Sequence, residues 1–112
     1  MELTNMRKTI LLSSLAVLVS AAGICWAAGM ATVDQRGLAF SISKLVVKKG
    51  DIVTFTNNDN TSHNILVSGN GVSLNSGLQK PGVAFKAPFI KPGIYQVNCG
   101  IHPKMKMSIV VE

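Results

Sequence analysis

The chain has 112 residues, enough for one domain at most. The chain has eleven Lys and Arg and five Asp and Glu, which gives a net charge of +6. The charges form no block, and the sequence has no low-complexity tract and no internal repeat. These features exclude a multidomain or repeat protein. Because basic and aromatic residues do not interleave, we expect no nucleic-acid partner.

Residues 1–27 have the pattern of an export signal. The positive segment "MRK" precedes the apolar run "TILLSSLAVLVSAAGI", and small residues follow at Cys25 and Ala27. We predict cleavage after Ala27, which leaves a domain of residues 28–112 in the periplasm or outside the cell and free of the membrane. A retained membrane anchor is the alternative, since the apolar run is near the lower length limit for a span.

The predicted mature chain remains basic and contains a single cysteine. Residues 28–112 hold nine basic and four acidic residues, and Cys99 is their one thiol. Exported proteins usually pair their cysteines. An unpaired thiol in such a chain is therefore buried and inert, joined to another chain, or bound to a metal.

Short apolar stretches between turn signals predict an all-β fold after residue 30. We predict strands at 38–44, 45–47, 51–57, 62–67, 83–87, 94–98 and 105–111. Seven or eight strands at even spacing are typical of an antiparallel sandwich or barrel. A period of two places Cys99 on the inward face with Tyr95 and Val97, and places Met105 and Met107 on the inward face of the last strand.

Four residues form a candidate metal site. Cys99 and His102 are separated by two residues in the turn between the last two strands, and Met105 follows three residues later. The other histidine of the chain, His63, begins a predicted strand. Two imidazoles, a thiolate and a weak thioether suit copper in both oxidation states. Zinc would accept the three strong donors, but structural zinc sites usually have four.

Each of these residues also has an ordinary interpretation. A buried Cys is most often a small hydrophobic residue, and Met on an inward strand face is most often part of the core. A metal-free sandwich that serves as an interaction module is therefore the least specific alternative.

Two segments resemble the cupredoxins, the type 1 blue copper proteins, and within them the amicyanin and plastocyanin group. "VVKKGDIVTFTNND" followed by "SHNI" is similar to the strand pair that leads to the first ligand, and "PGIYQVNCGIHPKM" is similar to the C-terminal ligand loop. The resemblance extends from about residue 33 to 112. It implies a Greek-key β-sandwich or barrel of seven to eight strands.

The resemblance also implies a role for each ligand. His63 is the buried first ligand, Cys99 supplies the thiolate, His102 reaches the surface, and Met105 is the distant axial ligand. Met107 is the rival axial ligand, because the spacing from His102 to Met107 matches longer loops of the family. Asn64, after the first histidine, is expected to tie its strand to the cysteine loop through its side chain.

The sequence departs from the family at three positions. Ser62 stands where relatives often have Pro, and Gly100 and Ile101 replace the usual Thr or Ser and Pro after the cysteine. We expect Gly100 to make the ligand loop more flexible.

The resemblance implies a carrier of single electrons and not an enzyme, since four side-chain ligands leave no place for a substrate. An apolar spot at Ile101 and Pro103, beside Lys104 and Lys106, predicts transient encounters with acidic redox partners; the alternative is that these lysines only keep the last strand soluble. We also expect a monomer. The alternative is a periplasmic copper carrier or buffering protein that uses the same ligands for delivery.

Overall fold

The computed structural model describes residues 29–112, so the predicted export signal at 1–27 and the boundary at residue 28 lie outside the described residues. Eight strands make up this part of the chain: β1 (Met30–Gln35), β2 (Lys44–Val47), β3 (Asp51–Asn57), β4 (Ile65–Gly69), β5 (Val72–Asn75), β6 (Phe85–Phe89), β7 (Gly93–Cys99) and β8 (Lys106–Val111). Among residues 29–112, no helix has the length and hydrophobicity to span a membrane.

The strands form two sheets, one with the order β1-β3-β6 and one with the order β2-β8-β7-β4-β5. The chain passes from one sheet to the other after β1, β2, β3, β5 and β6, which confirms the all-β Greek-key sandwich. Four of the six strand pairs are antiparallel, as expected for such a sandwich, and two are parallel. β1 pairs with β3 in parallel, and β2 pairs with β8 in parallel, because a crossover to the other sheet separates the members of each pair.

The core lies between the two sheets and is built from alternate residues of most strands. The predicted bounds of β3 are the observed ones, because Val53 and Phe55 alternate with threonines in the sequence. In the structure both apolar side chains are fully buried. Inward residues from both sheets form one cluster. Its members with no exposed surface at all are Val33, Val53, Phe55, Ile65, Val97 and Ile109.

The predicted strand at 38–44 is wrong. Gly37 and Leu38 have φ values of 63° and 56°, a left-handed conformation that turns the chain away from a strand. Phe40 makes an isolated bridge to Gln35, and β2 begins only at Lys44. The alternation of apolar residues here reflects a loop that packs Phe40 against Phe55.

Two strands have no counterpart in the prediction. β1 carries a polar residue, Gln35, on its buried face, so its hydrophobic alternation is incomplete. β5 has four residues and lies at a sheet edge, where no position is fully buried. Both strands are formed by pairing with a neighbour more than by their own sequence pattern.

Candidate metal centre

The pairing of β4 with β7 brings the first histidine to the cysteine. Ile65 lies opposite Cys99, so His63, two residues earlier, lies beside the end of β7. The backbone of His63 forms two hydrogen bonds with Gln79, at 2.9 and 2.7 Å. The buried side chain of Asn57 in turn donates to the carbonyl of Gln79. Hydrogen bonds within the protein therefore hold this segment in place without a metal ion.

The loop between β7 and β8 closes on itself and places the second histidine. The amide of Cys99 donates to the carbonyl of Met105 at 3.2 Å, and the amide of Met105 donates to the carbonyl of His102 at 2.9 Å. These two hydrogen bonds make residues 99–105 a tight turn. His102 at its tip is consequently directed back toward Cys99.

Three donor atoms converge at one end of the sandwich. The Nδ1 atoms of His63 and His102 are 3.1 Å apart, and the Sγ atom of Cys99 lies 3.7 Å from the first and 3.6 Å from the second. A triangle with these edges has a circumscribed circle of radius about 2.0 Å, which is close to the roughly 2.0–2.3 Å of bonds from nitrogen or thiolate to a metal ion. One ion could therefore contact all three atoms.

Burial separates the roles of the three residues. His63 is fully buried and Cys99 is 2% exposed, whereas His102 is only half-buried. The amide of Asn64 donates to the Cys99 sulfur at 3.4 Å, a contact that stabilises negative charge on sulfur. The site thus combines a buried, hydrogen-bonded sulfur with one imidazole edge near solvent.

Met105 and Met107 are both buried, but they have different surroundings. Met107 belongs to the hydrophobic core cluster and lies opposite Val97 in the β7–β8 register. Met105 is outside that cluster, in the ligand loop, and lines a shallow surface pocket with His102 and Pro103. This difference favours Met105 as the thioether nearest to the three donors.

The structure corrects the expected role of Asn64. Its side-chain amide donates to the carboxamide oxygen of Asn75 at 2.8 Å and to the carbonyl of Gly77 at 2.9 Å, not to the cysteine loop. The connection to that loop is made by the backbone, because the Gly100 amide donates to the Asn64 carbonyl at 2.8 Å.

Gly100 provides the space that this arrangement needs. A Cβ atom on residue 100 would overlap the side-chain oxygen of Asn64 and would lie 3.3 Å from a methyl carbon of Leu66. Gly100 therefore has a steric role, which the sequence did not predict, beside the loop flexibility that we expect from it.

Gly100→Ser should destabilise the metal-free protein by about 1–3 kcal/mol, because the new side chain must displace Asn64 from its two hydrogen bonds. Urea unfolding of the metal-free chain would measure this loss. The matched control is the same substitution in an Asn64→Ala background, where the penalty should shrink. An equal penalty in both backgrounds would show that Asn64 is not the obstacle.

The sequence analysis missed one residue of the site, Asp59. Its Oδ2 atom lies 2.7 Å from Nε2 of His63. Burial acts to raise the pKa of Asp59, but hydrogen bonds from His63 and from the amides of Leu38 and Gly37 outweigh it and hold the pKa below its usual value. In the sequence, the one indication of this role is that an acidic residue stands four positions before His63. Its segment, residues 57–60, predicts only a turn.

The donor set fits copper. A thiolate, two imidazoles and a nearby thioether form the combination that accepts copper in either oxidation state, and none of the four residues is a hard oxygen ligand. A zinc site of the structural type would need a fourth strong donor, and the side chains that meet here offer a thioether in its place.

Comparisons with known proteins agree with this donor chemistry. The family of copper binding proteins described as plastocyanin/azurin matches residues 27–112. Amicyanin from Paracoccus denitrificans is 33% identical over 87 residues, an alignment that covers 75% of this chain and 66% of that protein. Plastocyanin from Ulva arasakii is 32% identical over 90 residues, an alignment that covers 70% of this chain and 92% of that protein.

A solved structure has the same fold. The purple cupredoxin from Nitrosopumilus maritimus is 28% identical, with a TM-score of 0.65, and the match covers 73% of this chain and 99% of that one. The family match spans most of the chain and includes every residue of the candidate site. The chain therefore belongs to the plastocyanin/azurin family of copper-binding proteins, the cupredoxins, and copper is its metal.

Proposed function

We propose that the protein carries single electrons between redox partners in the periplasm or outside the cell, with one copper ion held by His63, Cys99, His102 and Met105. Bound copper supplies a one-electron couple between Cu(I) and Cu(II). The observation that carries the proposal is the triangle of donor atoms, with edges of 3.1, 3.6 and 3.7 Å, at one end of the sandwich.

Three of the four side chains would hold the ion inside the domain, and the fourth would also connect it to the surface. His63 and Cys99 are buried and would hold the ion from within the domain. Backbone hydrogen bonds fix the positions of both residues, so little rearrangement accompanies a change of charge at the site. Met105 would be the weak axial ligand, and half-buried His102 would lead the electron to the surface.

The surface around His102 suits a brief encounter. Three side chains form an apolar surface here, which we call the docking face: Leu38, Leu78 and Ile101, which are 51%, 64% and 50% exposed. They line two shallow pockets that meet at Ile101, and one of these also includes His102. Exposed Lys104 lines the pocket with His102, and exposed Lys106 follows two residues later in the chain, so an acidic partner would be attracted and then released.

Adding Cu(II) to residues 28–112 tests this function. We expect an intense visible absorption at one copper per chain, which dithionite removes and an oxidant restores. A colourless product that binds only Cu(I) would instead support a copper carrier or buffering protein. Failure to bind either ion would support a metal-free interaction module.

A further inference from the structure

Asp59 contacts two parts of the molecule at once. Its Oδ2 atom lies 2.7 Å from Nε2 of His63 and accepts the amide of Leu38 at 3.1 Å, while Oδ1 accepts the amide of Gly37 at 2.5 Å. The side chain is 9% exposed and its contact with fully buried His63 is partly shielded from water, whereas the contacts with the two amides lie at the surface. One carboxylate therefore joins a candidate ligand to a surface loop.

The contact with His63 selects the tautomer that a metal ligand needs. An ionised carboxylate only accepts hydrogen bonds, so Nε2 of His63 must carry the proton. In a neutral imidazole Nδ1 then keeps its lone pair, and this is the atom that faces Cys99 and His102. A carboxylate behind a ligating imidazole also fixes the orientation of the ring and makes it a stronger donor.

The contacts with Gly37 and Leu38 hold a strained turn. Both residues are left-handed, with φ of 63° and 56°, and their successive amides point at the same carboxylate, as in a backbone nest. Leu rarely adopts this conformation, so the surrounding contacts must maintain it. The turn brings the exposed side chain of Leu38 to the pocket that His102 and Ile101 also line.

We propose that Asp59 is a positioning residue that serves the metal centre and the docking face together: its carboxylate orients His63 through Nε2 and holds Leu38 beside His102 through the Gly37–Leu38 turn. This inference rests on the proposed electron-carrier function. The negative charge of Asp59, next to the ligand His63, also favours Cu(II) over Cu(I) and so lowers the reduction potential.

The test compares Asp59→Asn with a matched control, Asp51→Asn. Asp51 also accepts two backbone amides, those of Gly29 and Lys48, but it lies at the opposite end of β3. In the copper-loaded Asp59→Asn protein we expect a shift of about tenfold toward Cu(I), which corresponds to about 59 mV for a one-electron couple. Electron self-exchange between Cu(I) and Cu(II) molecules should also slow several-fold, because Leu38 is no longer held. Asp51→Asn should leave both quantities unchanged.

A second readout needs no copper. The NMR signals of the Gly37 and Leu38 amides should move in metal-free Asp59→Asn and stay in place in Asp51→Asn. Should Asp59→Asn fail to fold, the tautomer of His63 in the metal-free parent decides the matter. A proton on Nε2 supports the proposal, and a proton on Nδ1 overturns it.

The outcomes separate this proposal from the function on which it rests. A parent chain that stays colourless with Cu(II) contradicts the electron-carrier function. A blue parent whose Asp59→Asn variant keeps its potential, or keeps both amide signals in place, contradicts the role of Asp59 alone.

Discussion

Replacing Cys99 with Ser should abolish the intense visible absorption of the copper-loaded protein. The band requires a thiolate bonded to the ion, and a Ser hydroxyl is a hard donor that stays protonated at neutral pH. We expect Cu(II) affinity to fall at least about a hundredfold, the upper end of what is lost when even an indirect partner of a ligand is removed. Absorption spectra and a competitive copper titration would measure both effects.

The control for this variant must disturb the same strand without removing a donor. Val97 lies two residues earlier on the same inward face and is fully buried. Val97→Ala should lower the free energy of unfolding by about 1–3 kcal/mol and leave the colour intact. Retention of the intense band in Cys99→Ser would contradict the assignment of the sulfur ligand.

Met105→Leu should raise the reduction potential, and Met107→Leu should not. Leu cannot donate to a metal, so its presence at the axial position weakens the hold on Cu(II) more than on Cu(I). We expect a shift of roughly tenfold or more in the equilibrium between the two states, about 59 mV, measured by redox titration. Copper should remain bound, since three strong donors are untouched.

Met107→Leu is the matched control, because it makes the same substitution at another buried methionine only two residues away. As a volume-conserving change inside the core cluster, it should cost less than about 1.5 kcal/mol. A potential that moves with Met107 and not with Met105 would reverse the axial assignment. No movement in either variant would mean that neither sulfur is a ligand.

Much of the site could be predicted from sequence because its key residues lie close together in the chain. Cys99, His102 and Met105 share one turn, and their spacing fixes their proximity once β7 and β8 are recognised as neighbours. His63 was identified by elimination, as the other histidine of the chain. The structure confirms that the donor atoms of His63, Cys99 and His102 converge.

The parts that could not be predicted depend on long-range contacts. The Gly37–Leu38 turn is held by Asp59, more than 20 residues away in the chain, so no local pattern reveals it. The side chain of Asn64 bonds to Asn75 in the space that Gly100 leaves open. This contact involves three residues distant in the chain, so the residue type at any one position does not reveal it. Parallel pairing likewise depends on partners distant in sequence.

The position of β8 between β2 and β7 has a consequence for maturation. β8 is the last strand in chain order, yet it is an interior strand of the larger sheet, so that sheet cannot close until every residue up to Val111 is available. Such dependence on distant pairings slows folding. Without β8, the turn that carries Cys99 and His102 would have no second strand to hold it beside His63, so we expect copper to bind only after β8 has paired with β7.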